Sequence, residues 1–310
     1  MIFQQRLKFS RAAVLLGLLL ISRGSFAFEF QPGAGVGVEY TDNATLVAEG
    51  RVEDIIAVGY IGATLAQNEG PLQADITASL NHHRYTKDTY EDVRYFNLGA
   101  TANWELIQNQ FDLYLSNFYY QRPTNTFDPN TPNNIQDSNA FTFGGNIGLL
   151  SSSRHTFVLT PEFRDFYYED LETDNQQYSL AANWSYQRTE LDTIGLNGSV
   201  RTIEYDTQAL VDVTFTSIFF ALAGERVRSE YSTNLGSTHV ERDNGQSTTG
   251  FAGNLDWTVN LTSRSRIRTY ISTDLTDTSS GTLTAITAVS YTHLRAHETA
   301  LRISYAVFCL

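Results

Sequence analysis

The chain has 310 residues, a formal charge of -13 and a pI near 4.8, with 42% hydrophobic and 18% charged residues. An acidic balance without a Lys/Arg run speaks against a nucleic-acid partner, and a mean hydropathy of -0.25 speaks against a bundle of apolar membrane helices. The same average is compatible with a membrane β-barrel, in which half of every strand is polar.

The N-terminus is the first readable element. Arg6, Lys8 and Arg11 precede an apolar run, "AAVLLGLLLI" (12–21), and Ser25-Phe26-Ala27 forms a small-x-small site. Ten apolar residues are too few to cross about 30 Å of hydrocarbon, so residues 1–27 are expected to be a cleaved signal peptide. No cysteine follows the run; the one cysteine, Cys309, lies next to the last residue and rules out a disulfide within the chain.

From residue 33 onward one pattern repeats. In "LQADITASL" (72–80) Leu72, Ala74, Ile76, Ala78 and Leu80 fall on one face of an extended strand, and Gln73, Asp75, Thr77 and Ser79 on the other. The alternation recurs in 94–106 (Phe96, Leu98, Ala100, Ala102, Trp104), in 177–187 (Tyr178, Leu180, Ala182, Trp184) and at Phe111, Phe141, Phe157, Ile194 and Phe251. About thirteen strands of roughly ten residues are expected, with no segment of helical periodicity between them. Short connections (67–71, 107–110, 151–155, 188–192, 227–230, 261–265) alternate with long polar ones, the longest at 122–139. A Greek-key sandwich has no reason to keep that alternation, whereas an up-and-down antiparallel barrel in an outer membrane places tight turns at one rim and long loops at the other.

Trp104, Trp184 and Trp257 each stand in the apolar register just before a short connection, and tyrosines, among them Tyr119, Tyr120, Tyr167 and Tyr168, gather near the long loops. Such residues are expected to form two interfacial girdles. The opposite register would line a lumen, with Asp75, Asp112, Glu162, Arg164, Arg201 and Arg268 as its charged candidates.

Motifs with chemical meaning are scarce. "GAGVGVEY" (33–40) spaces its glycines by two and precedes no helix, so it reads as a smooth strand face, not a dinucleotide site. His82 and His83 are neighbours on a strand and point to opposite faces, which prevents a shared metal. "EDLETD" (169–174) lacks the spacing and glycine of a calcium loop, and Ser153 with His155 has no evident acid partner. No enzyme, cofactor or metal is expected.

"VEYTDNATL" (38–46), the Glu-Arg-x-x-Ser-Glu turn of "ALAGERVRSEY" (221–231) and "NLTSRSRIR" (260–268) resemble a family of bacterial outer-membrane β-barrel porins, over about residues 28–280. Some members of that family are associated with exopolysaccharide and exosortase gene clusters. The resemblance implies an outer-membrane barrel of a Gram-negative bacterium and carries no catalytic residue. Two functions follow as expectations: a passive pore for small hydrophilic solutes, or a component that secretes or scaffolds an extracellular polysaccharide. The partners expected are outer-membrane lipids, those solutes or glycans, and the barrel assembly machinery that inserts such chains. An outer-membrane enzyme is the remote alternative.

The barrel is expected over residues 28–288. From about Val289, "VSYTHLRAHETALRISYAVFCL" breaks the pattern, and "SYTHLRAHET" looks like the translation of a sequencing-library adaptor. Residues 289–310 are therefore expected to be a non-native tail, and the barrel to be incomplete, with about thirteen or fourteen strands present. A sheet cut there would leave edge N–H and C=O groups unpaired in lipid.

Overall fold

The structure, a computed structural model, describes residues 28–295 apart from 172, 208, 263–264 and 278–282. The expected signal peptide and the tail beyond Arg295 lie outside the described residues. Fourteen strands make one sheet in strict chain order, every neighbouring pair antiparallel. They are β1 (Glu29–Thr41), β2 (Asp54–Gln67), β3 (Leu72–Tyr85), β4 (Val93–Ile107), β5 (Phe111–Pro123), β6 (Ile135–Ser151) and β7 (His155–Tyr168). Then come β8 (Asn175–Gln187), β9 (Asp192–Tyr205), β10 (Val213–Arg226), β11 (Ser229–Arg242), β12 (Ser247–Thr262), β13 (Ser265–Asp277) and β14 (Leu283–Arg295). Among the described residues the only helical turn is a 3₁₀ turn at Pro132–Asn134 in the longest loop.

Over the described residues the fold is therefore all-β and up-and-down. Short and long connections alternate over most of the sheet, residues 108–110, 152–154 and 227–228 at one rim and 42–53, 86–92 and 124–134 at the other; the connection expected to be long at 241–248 is only residues 243–246, because β11 and β12 extend into it. The strands are longer than expected, 13 to 17 residues instead of roughly ten. Ladder hydrogen bonds continue past the stretch where oily and polar residues alternate, because backbone pairing does not depend on side-chain polarity. Among the described residues no ladder joins β1 to β14, so the sheet is open. β14 starts at Leu283 and runs through Val289 to Arg295, paired with β13 throughout.

Register fixes which residues share a face. Asp75 stands opposite Thr101, Thr101 opposite Ser116 and Ser116 opposite Thr142, and the same parity continues through Arg164, Gln177, Ser179 and Arg201. The other parity is apolar and uncovered: Ile61, Leu80, Phe96, Leu180, Leu196, Ile218, Phe220 and Phe251 all lie on it, with Phe251 63% and Ile61 62% exposed. The sheet curls toward its polar face. Asn197 of β9 donates to Asn234 of β11 at 3.3 Å across the intervening β10. In a flat sheet those strands are about 9.5 Å apart, too far for two such short side chains to meet without leaning inward.

Candidate functional site

The polar face is the candidate site. All six charged residues expected on it, Asp75, Asp112, Glu162, Arg164, Arg201 and Arg268, share that parity. They do not form one cluster; the face carries three distinct arrangements.

Near the short turns of β3–β6, an open cleft of about 500 Å³ is lined by Gln73, Asp75, Thr101, Asn103, Asp112, Tyr114 and Ser116, with no cationic side chain among its lining residues. Asp112 accepts a hydrogen bond from Asn146 Nδ2 at 2.9 Å, while Asp75 is exposed. The cleft thus carries two carboxylates and no cation in its lining.

In the middle of the sheet Tyr114 lies across Gly144, and its hydroxyl donates to Glu162 Oε2, two strands away, at 2.8 Å. A Cβ on Gly144 would sit 2.4 Å from that hydroxyl oxygen, so only glycine leaves room for the ring. Glu162 also pairs with Arg164, Oε1 to Nε at 2.7 Å. Arg201 lies with its guanidinium carbon 4.6 Å from the centre of the Phe215 ring. The cation is thereby held by an aromatic face rather than by a carboxylate.

Toward the long loops of β9–β11 the polar parity turns apolar. Ile203, Val213, Phe215 and Val240 form a buried cluster against which Tyr205 and Leu275 pack, with Val213 1% and Val240 0% exposed. The sequence gives no sign of it, since "VTFTSIFF" is oily on both parities over part of its length.

The aromatic residues divide by parity. Trp104, Trp184 and Trp257 stand on the apolar face near the short turns, where His155 stacks on Tyr186 at 4.8 Å and on Trp184 at 6.0 Å. Beside Trp257, Tyr231 and Arg226 both bond Asp192, at 3.1 Å and 2.8 Å. At the loop end the expected girdle is split. Tyr119 and Tyr167 lie on the apolar face, whereas Tyr120 and Tyr168 lie on the polar one, because neighbours on a strand point to opposite sides. Tyr168 there carries the Arg122 guanidinium 5.1 Å from its ring centre.

The longest loop is fastened to itself. Asn134 Nδ2 donates to the carbonyls of Asn125 (2.9 Å), Pro129 (3.1 Å) and Asp128 (3.3 Å), while Asn134 Oδ1 accepts from the Asn125 N–H at 2.9 Å. Asn130 in this loop reaches a cleft whose other walls include the polar-face residues Asn81, His83, Tyr95, Asn97 and Arg122. The loop thus covers part of the polar face.

The chain matches no protein-family model and no curated protein. Among solved structures, it is similar to the FrpB iron transporter from Neisseria meningitidis (F3-3 variant), at 9% identity and a TM-score of 0.49, over 84% of this chain and 49% of that one. It is also similar to the copper transporter OprC, at 10% identity and a TM-score of 0.35, over 80% of this chain and 57% of that one. The chain thus spans about half the length of these structures, and neither protein's metal is carried over to it.

Proposed function

We propose that the sheet is the wall of an outer-membrane β-barrel, exported by its N-terminal signal and inserted by the barrel assembly machinery, and that its polar face lines a passive path for small hydrophilic solutes. The observation that carries this reading is the division of faces. Large apolar side chains stand uncovered on strand after strand along one face, an area that soluble monomers do not leave to water. Lipid is the solvent that stabilises such a face, and it in turn demands that backbone polar groups be paired between strands. On this reading Trp104, Trp184, Trp257, Tyr119 and Tyr167 lie at the membrane interfaces, and the long loops lie outside the cell.

A second reading, a conduit or scaffold for an extracellular polysaccharide, is favoured by aromatic side chains on the polar face: Phe118 and Tyr120 are each 43% exposed there. Planar-bilayer recording of the refolded chain tests the first reading. Ohmic current steps are expected; a folded, membrane-inserted protein that passes no current would overturn the pore. Recovery in the soluble periplasmic fraction would overturn the membrane assignment itself.

A further inference from the structure

We propose that the notch between the diverging ends of β4 and β5 is a binding subsite for an uncharged sugar unit; this rests on the reading of the polar face as a solute path. The β4–β5 ladder stops at Leu98 and Tyr119, although β4 begins at Val93 and β5 continues to Pro123. Residues 93–97 therefore pair only with β3, and residues 120–123 only with β6. Gln121 closes the base of the gap by donating from Nε2 to the Phe96 carbonyl at 2.9 Å and to Asp137 Oδ1 at 2.7 Å. Above it lies the cleft of about 310 Å³ that Asn130 of the long loop reaches. That volume is at the small end of the roughly 300–1,000 Å³ typical of small-molecule sites.

The lining decides the chemistry. Asn81, Asn97 and Asn130 converge on the cleft, and among the described residues none of their side chains has a hydrogen-bond partner. Elsewhere on the same face Asn197, Asn234 and Asn254 satisfy one another, at 3.3 Å and 3.1 Å, so unused carboxamides are not the rule for this sheet. A carboxamide offers both a donor and an acceptor, which matches a hydroxyl that is both at once. A cation would call for carboxylates, and none lines the cleft. Arg122 is the one permanently charged side chain in the lining and lies 5.1 Å from the centre of the Tyr168 ring, so an acidic saccharide is the competing ligand that the test includes. Tyr95, in a T-shaped contact with His83 at 5.2 Å, adds the flat apolar surface on which the C–H face of a pyranose stacks. The strands are set apart, the polar groups converge, and the loop that supplies Asn130 is braced by Asn134.

The test uses the full chain refolded in detergent and in planar bilayers, its folded state confirmed by heat-dependent gel mobility. Maltohexaose, cellohexaose and laminarihexaose are titrated calorimetrically and, separately, added during current recording. At least one is expected to bind, and Tyr95→Ala and Asn97→Ala to weaken it at least tenfold; Asn130→Ala, in the loop and outside the strand ladders, guards against loss of folding. Binding by none of the three to folded protein overturns the subsite, as does binding that all three variants leave unchanged. Binding of hexagalacturonate or spermidine alone overturns the assignment to uncharged sugars. Saccharide binding without any current keeps the subsite and removes the pore; current without saccharide binding does the reverse.

Discussion

Strands β1–β5 and β9–β13 turn the same parity to the same side of the sheet, and they fill it in opposite ways. Both groups carry a cleft, but in the first the polar side chains are left unpaired: Asp75 is exposed, and Asn81 and Asn97 have no side-chain hydrogen-bond partner among the described residues. In the second group the side chains are used up on one another. Asn197, Asn234 and Asn254 form a chain, Arg268 holds Asp256 through two hydrogen bonds, one at 3.0 Å, and Ile203, Val213, Phe215 and Val240 pack into a dry cluster. The two groups share an architecture, so the difference lies in residue size and in how closely the backbones approach. One half of the polar face pairs its polar groups with one another, and the other leaves them unpaired.

The largest expected effect comes from removing the packing of the second group. Phe215→Ala deletes a buried ring and the surface under Arg201, and should cost about 3–5 kcal/mol. Urea titration of the refolded protein in lipid vesicles measures it, and a cost near that of a loop substitution such as Phe127→Ala, at a side chain 96% exposed, would show that the cluster does not hold the sheet. Next comes a pair of glycines. A Cβ on Gly236 would lie 1.9 Å from the Ile218 carbonyl oxygen, so Gly236→Ala forces the β10 and β11 backbones apart. A loss of about 1–3 kcal/mol is expected there. Gly35→Ala, in the first group and with nothing within 4 Å of the added Cβ, should be close to neutral, and equal costs for the two would erase the contrast.

A functional change with little stability cost is expected at Asp75. Asp75→Asn removes an exposed carboxylate from a cleft whose lining has no cation, so the ratio of cation to anion permeability should fall by about twofold. Reversal potentials in a salt gradient read it, and an unchanged ratio would place the solute path away from that wall.

The smallest effect belongs to the loops outside the strands. Glu53 and Lys87 form an exposed ion pair that joins the loops 42–53 and 86–92. The Lys87 ammonium, by hydrogen bond and by charge, holds the Glu53 carboxyl below its ordinary range, and Glu53 in turn raises Lys87. A depressed carboxyl stabilises above its unfolded pKa of about 4.3 and loses that contribution as pH falls through the folded value; a raised lysine stabilises below about 10.4 and loses it as pH climbs through the folded value. Amide exchange of residues 86–92 should therefore quicken relative to the strands below about pH 4, and Glu53→Gln should reduce that pH dependence to the part set by Asp54, which accepts from the Lys87 N–H at 3.0 Å. Exchange that stays pH-independent in the unaltered chain, once intrinsic rates are divided out, would show that the pair does not fasten the loops.

The amino-acid sequence by itself determined the faces and the order of the strands. Side chains alternate with period 2 wherever the chain is extended, so the oily parity of each strand, kept on one side by register, carries Asp75, Asp112, Glu162, Arg164, Arg201 and Arg268 together to the other. The alternation of short and long connections made that pairing order legible. The same local rule, applied strictly, also divides Tyr119 from Tyr120 and Tyr167 from Tyr168, whereas proximity to a loop alone would group them. What only the tertiary structure decided is non-local. Where a ladder ends depends on two strands at once, so the gap between residues 93–97 and 120–123 is written in neither strand alone. The meeting of Tyr114 with Glu162 depends on three strands and on Gly144 between them, and the dry cluster depends on β9, β10 and β11 together and on Leu275 of β13, which packs against it. Local periodicity sets direction, and only the register and curl of the whole sheet set distance.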